Sequence, residues 1–100
     1  MKMVRQTYGA FGENLDAVKR EFERMFNLVA GAAAKLRDEH GKGFYTYRKT
    51  NTKNPRFWRA GIAFREDSAE TVKPYITDLE GWFRANKVSF YHGRDSICLA

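Results

Sequence analysis

A chain of 100 residues, 43% apolar and 15% aromatic, with a net charge of +6, is the size of one small domain with a hydrophobic core of its own. That composition excludes intrinsic disorder, which needs low hydrophobicity, and the single cysteine, Cys98, excludes an intrachain disulfide. A lone thiol, a start (Met1-Lys2-Met3-Val4-Arg5-Gln6) without an apolar signal core, and a longest apolar run of only Leu28 to Ala34 together point to a cytoplasmic protein, with the nucleus or a virus-infected cell equally allowed, that does not enter the membrane.

In chain order, a first strand over Met3 to Tyr8 carries only a faint pattern. A helix is predicted from Leu15 to Glu39. Asn14 is suited to the N-cap and Asp16 places negative charge in the first turn, where the helix dipole favours it. Apolar residues recur at three-four spacing through Leu15, Val18, Phe22, Met25, Phe26, Val29, Ala33 and Leu36, while Lys19, Arg20, Glu23, Arg24, Asn27 and Arg37 form the opposite face. Gly31 marks a weak point or a close contact, and Gly41 ends the helix.

Phe44 to Lys49 and Phe57 to Arg65 read as two strands of a β-hairpin joined by the polar turn Thr50 to Arg56. In the second strand Trp58, Ala60, Ile62 and Phe64 share one face, and Phe57, Arg59, Gly61, Ala63 and Arg65 the other. One of Phe44 and Tyr45 must point inward. A second helix follows from about Val72 to Asn86, with its apolar face on Val72, Tyr75, Ile76, Leu79 and Phe83. Pro74 is tolerated only in a first turn, so the N-cap is placed at Thr71, with Ser68 able to cap one extra turn. A last strand, Val88 to His92, and a turn at Gly93-Arg94-Asp95 leave room for a short additional strand from Ser96 to Leu99.

The chain therefore reads as one α+β domain over residues 1–100, in the order β-α-β-β-α-β with a possible extra C-terminal strand. Two helices connected through a hairpin suggest the ferredoxin-like arrangement, an antiparallel sheet with both helices on one face and the other face open.

Few side chains suit catalysis. The imidazoles are His40, at a helix end beside Asp38 and Glu39, and His92, near Asp95 and Cys98. Neither comes with a nucleophile and an orienting group in a recognisable spacing. Structural zinc requires four Cys or His ligands, and the chain has three such residues. Glu66, Asp67 and Glu70 cluster at a helix start, where they serve the dipole. Gly41-Lys42-Gly43 closes a helix and opens a strand, the reverse of a phosphate-binding loop. The expectation is a protein that is not an enzyme and has neither metal nor cofactor; a small dimeric ferredoxin-like enzyme is the remaining catalytic alternative.

Charge is the feature that stands out. Gly41 to Arg65 contains seven cations (Lys42, Arg48, Lys49, Lys53, Arg56, Arg59 and Arg65) and no acid, while the other 75 residues hold eleven cations and twelve acids. Tyr45, Tyr47, Phe57 and Trp58 interleave with these cations. Nucleic acid offers both complements, phosphates for the cations and base faces for the aromatics. Trp58 is assigned to the core with Ile62 and Phe64. The candidate nucleic-acid-binding residues are Arg48, Lys49, Lys53, Arg56, Arg59, Tyr45, Tyr47 and Phe57, with Asn51, Thr52 and Asn54 available to phosphate or sugar oxygens.

The order of elements resembles an RNA-recognition motif, whose third strand carries Lys/Arg-Gly-Phe-Gly/Ala-Phe-Val-x-Phe. Ended at Phe64, this pattern meets Ala60 and Ile62, but its two stacking positions fall on Arg59 and Gly61. Stacking is expected instead from Tyr45, Tyr47 or Phe57. The leading expectation is a small RNA- or single-stranded-DNA-binding protein. Its alternative is a protein-interaction module, such as a phage-type inhibitor or adaptor, that presses the basic hairpin onto an acidic protein surface or docks on a host nucleic-acid-handling complex.

Overall fold

The computed structural model describes residues 2–97 and 99. Four strands and two helices follow one another as β1 (Met3–Ala10), α1 (Leu15–His40), β2 (Phe44–Lys49), β3 (Arg59–Arg65), α2 (Ala69–Ala85) and β4 (Phe90–His92). The sheet has the order β2-β3-β1-β4 with every neighbouring pair antiparallel, which is the ferredoxin-like topology. Among the described residues no helix is long and apolar enough to cross a membrane.

The strand with the faintest pattern is central. β1 pairs with β3 from Met3↔Arg65 to Tyr8↔Ala60 and with β4 from Tyr8↔His92 to Ala10↔Phe90. Its pattern is faint because polar residues are buried on both of its faces. Gln6 and Thr7 are inaccessible to solvent, and each is satisfied locally. The Gln6 Oε1 accepts from the Ser96 hydroxyl at 2.8 Å and from the Leu99 N–H at 3.2 Å. The Thr7 hydroxyl donates to Asp95 Oδ1 at 2.9 Å. Where β4 stops, the chain continues alongside β1: the Gly93 N–H donates to the Thr7 carbonyl and the Ile97 N–H to the Arg5 carbonyl. The described residues of the expected extra strand run here without forming a regular strand of their own, and Cys98 lies outside the described residues.

Both helices cover one face. Tyr8, Ala60, Ile62, Phe64 and Phe44 point into it and pack with Val18, Phe22, Met25, Val29, Ala33 and Leu36 of α1 and with Val72, Ile76, Leu79 and Phe83 of α2. The Tyr8 ring meets Phe83 edge-on at 5.1 Å, and Trp58 meets Phe22 at 5.3 Å. Buried aromatic rings in these geometries contribute beyond their area. Asn14 caps α1 by accepting from the Ala17 N–H at 2.9 Å, and the Gly41 N–H closes it on the Arg37 carbonyl. Leu15 leaves the expected apolar face and is 46% exposed. Gly31 is exposed with open space around it, so it is no packing contact.

Three element starts differ from expectation. β3 starts at Arg59 rather than Phe57, because Pro55-Arg56-Phe57 forms a single tight helical turn capped by Asn54, whose side chain accepts from the Arg56 N–H. β4 starts at Phe90; Val88 is buried ahead of it without pairing. α2 starts at Ala69 with Ser68, rather than Thr71, at the N-cap position. The helix runs on from a preceding turn, Glu66–Ser68, so Pro74 sits in its second turn. That position is exposed, so the backbone hydrogen bond that proline cannot make is lost at the surface and not in the core.

Candidate nucleic-acid interface

Strand alternation fixes what faces away from the helices. β2 presents Tyr45, Tyr47 and Lys49; β3 presents Arg59, Gly61, Ala63 and Arg65; β1 presents Arg5 and Thr7; and β4 presents Tyr91. Tyr45 is 56% exposed and Phe57, at the end of the hairpin turn, is 60% exposed. Of the eight residues singled out in the sequence, Tyr45, Tyr47, Lys49 and Arg59 come together on this face. Phe57 lines a hollow with Lys49 and Arg59. Lys53 and Arg56 are exposed at the hairpin end.

Arg48 does not join them. It belongs to the alternate positions of β2, so its side chain turns to α1. There its Nη2 meets Glu23 Oε1 at 2.7 Å, and its guanidinium lies 4.5 Å from the Phe26 ring centre and 5.2 Å from that of Phe22. Its charge is spent within the fold. The hairpin loop is held from within. Trp58 Nε1 donates to the Thr52 carbonyl at 2.9 Å, the Thr52 hydroxyl donates to the Asn54 carbonyl at 3.1 Å, and the Asn54 side chain caps the turn. Thr52 and Asn54 therefore serve the loop's own backbone.

Arg59 is anchored without a carboxylate among the described residues. Its Nη1 donates to the Trp58 carbonyl at 2.9 Å and to the Tyr91 hydroxyl at 2.7 Å, and its guanidinium lies 5.0 Å from the Tyr91 ring centre. The Tyr91 hydroxyl in turn donates to the Arg56 carbonyl at 2.6 Å. Tyr91 can lie across β1 because residue 9 is glycine; a Cβ there would collide with the phenol ring. Phe11, also exposed, extends the aromatic surface, its ring centre 4.8 Å from that of Tyr91. Arg56 Nη1 donates to the Gly12 carbonyl at 3.2 Å. Carbonyls orient a guanidinium but leave its charge uncompensated.

The Gly93-Arg94-Asp95 turn builds the remaining wall. It approaches so closely that a Cβ on Gly93 would strike the Thr7 hydroxyl. Asp95 pairs with Arg5 Nε at 2.9 Å, and the Arg5 guanidinium lies 4.7 Å from the Tyr47 ring centre. Partial desolvation works against ionisation of Asp95, but the Thr7 hydroxyl, the Arg5 charge and its own backbone N–H outweigh it, and the carboxyl is held below its ordinary 3.8. Between hairpin and turn lies a hollow of about 330 Å³ lined by Lys49, Thr52, Phe57, Arg59, Arg94 and Asp95. A second, of about 460 Å³, is lined by Phe57, Arg59, Tyr91, His92 and Arg94. Sequence reading missed Arg5, Phe11, Tyr91 and Arg94. For Tyr91 a signal existed, since alternation with Phe90 and His92 sends it to the opposite face.

The two histidines lie in different settings. His40 Nε2 is 3.0 Å from the Tyr75 hydroxyl, which donates to Glu39 Oε1 at 2.6 Å. That bond to Glu39 is the main cause raising the Tyr75 pKa above 10.0. His92 turns away from Asp95 to meet Glu80 Oε2 at 3.1 Å; Glu80 is only 6% exposed and also accepts from the Tyr8 hydroxyl at 2.7 Å. The expected nearness of His92 to Cys98 lies outside the described residues. Among the described residues no group of three or more His, Cys, Asp or Glu is placed to hold a metal ion. Comparison of the chain with protein-family models, with curated proteins and with solved structures gives no match.

Proposed function

We propose that this chain is a small non-catalytic nucleic-acid-binding protein of the cytoplasm, engaging RNA or single-stranded DNA across the open face of its sheet. The observation that carries the reading is Arg59: a guanidinium held in place by carbonyls and a phenol, with no carboxylate among the described residues, beside the exposed ring of Phe57. Lys49, Lys53, Arg56 and Arg94 are likewise without an acid partner among the described residues. Cations track a phosphate backbone, and Phe57 and Tyr45 offer faces to unstacked bases. A single strand suits a flat sheet with aromatic platforms better than a duplex groove does, because neither helix presents an all-basic face.

Arginine beside exposed aromatic residues is also the composition of protein-interface hot spots, which favours, as second reading, an inhibitor or adaptor docking on an acidic protein surface. One experiment separates the two. Binding of a short oligonucleotide, followed by fluorescence anisotropy, is expected to weaken steeply between about 50 and 200 mM salt and to weaken further in the Arg56→Ala/Arg59→Ala double variant. Absence of binding at low salt, together with a stoichiometric protein captured from nuclease-treated lysate, would replace the first reading by the second.

A further inference from the structure

We infer that the hollow between the hairpin and the Gly93-Arg94-Asp95 turn receives the terminal phosphate of a nucleic-acid strand; this rests on the nucleic-acid reading above. Lys49, Arg59 and Arg94 stand around one volume of about 330 Å³, and the acid on its rim, Asp95, is already occupied by Arg5 and Thr7. Three cations around one small space exceed what a bridging phosphodiester, with its single negative charge, requires. A terminal phosphomonoester carries about −1.5 to −2 at neutral pH and three acceptor oxygens, which matches the surplus.

Arg59 is prepared for this ligand. Its Nη1 is committed to the Trp58 carbonyl, the Tyr91 hydroxyl and, at 3.4 Å, the Arg56 carbonyl, while its Nε and Nη2 make no hydrogen bond among the described residues. The guanidinium is thus oriented before binding, with donors left for phosphate oxygens. Lys49 from β2 and Arg94 from the turn bring charge from the two sides. Phe57 lines the same hollow and offers its face to the terminal base. The adjoining hollow, which shares Phe57, Arg59 and Arg94 and adds Tyr91, receives the next nucleotide, so the strand leads out towards Phe11.

The test compares three uridine hexamers, one with hydroxyls at both ends, one with a 5′-phosphate and one with a 3′-phosphate, each labelled at an end that carries no phosphate, and uridine 5′-monophosphate alone as competitor. One phosphorylated end is expected to bind about tenfold tighter than the hydroxyl form, the worth of one added charge-assisted contact. Arg94→Gln should reduce that preference to about twofold, and the charge-matched Lys73→Gln on α2 should leave it intact. Equal binding of all three hexamers overturns the terminal-phosphate inference while the nucleic-acid reading stands. A preference that survives Arg94→Gln, or a mononucleotide that competes as well as the hexamer, also overturns it. No binding of any hexamer at low salt removes both the reading and the inference.

Discussion

Arg48 and Arg59 lie one residue pair apart across the same hairpin, Arg48 facing Ala60 in register and Arg59 facing Lys49, yet they have opposite surroundings. Arg48 turns to the helix layer, stacks on Phe22 and Phe26 and is neutralised by Glu23. Arg59 turns to the open face, stacks on Tyr91 and is oriented by carbonyls. Both make cation–π contacts; only one keeps a charge to offer. The difference teaches that an acid-free run of sequence does not make an acid-free surface. The strand's alternation decides which cations leave the run to meet acids from another element.

The two faces of the sheet should therefore fail separately. The largest effect belongs to the helix side: Phe22→Ala removes a fully buried ring that packs against Trp58 and seats Arg48, and is expected to cost about 3–5 kcal/mol in urea unfolding. A cost under about 1 kcal/mol would mean that the helix-side core does not hold the hairpin. Next, Arg59→Gln should lower single-strand affinity about tenfold and make the logarithmic salt dependence shallower by about 0.7, with circular dichroism unchanged.

Smaller effects sharpen the contrast. Arg48→Gln should cost up to about 1 kcal/mol of stability, the range of an exposed ion pair, and leave strand affinity within about twofold of the parent. An equal loss of affinity at both arginines would erase the distinction between the faces. The smallest effect is at Asp95, whose folded pKa lies below its unfolded value. The stability it contributes is present above about pH 3.8 and is lost as pH falls through the folded value. Its side chain is 42% exposed, so solvent screening keeps the contribution under about 1 kcal/mol. Asp95→Asn should lower stability slightly at pH 7 and flatten its decline between about pH 4 and 2; an unchanged acid profile would show that the carboxylate does not fasten the turn to β1.

The long helix, the hairpin and the element order were legible because each is written in local terms. Asn14, the three-four spacing from Val18 to Leu36 and the turn-forming stretch after Lys49 act within a few residues of themselves. The start of α2 was misread because Pro74 signals a helix beginning, whereas the turn at Glu66–Ser68 already feeds a helix in which its exposed position is tolerated. β1 was barely legible because the partners that make Gln6 and Thr7 acceptable in a core, Tyr8, Ser96 and Asp95, are only in part sequence neighbours. Of the candidate site, the exposed aromatics and the cations of β3 and the loop were readable. Arg94 and Phe11 were not, because they enter the site from chain segments far from the hairpin.

By itself the sequence determined the α+β class, the secondary-structure order and the local excess of positive charge, since propensity, periodicity and composition need no partner. Only the tertiary structure decided which of those charges remain uncompensated and what stands beside them. A salt bridge such as Arg48–Glu23, or a turn brought against β1 by the space that Gly93 leaves for Thr7, depends on distances between segments that chain folding alone sets.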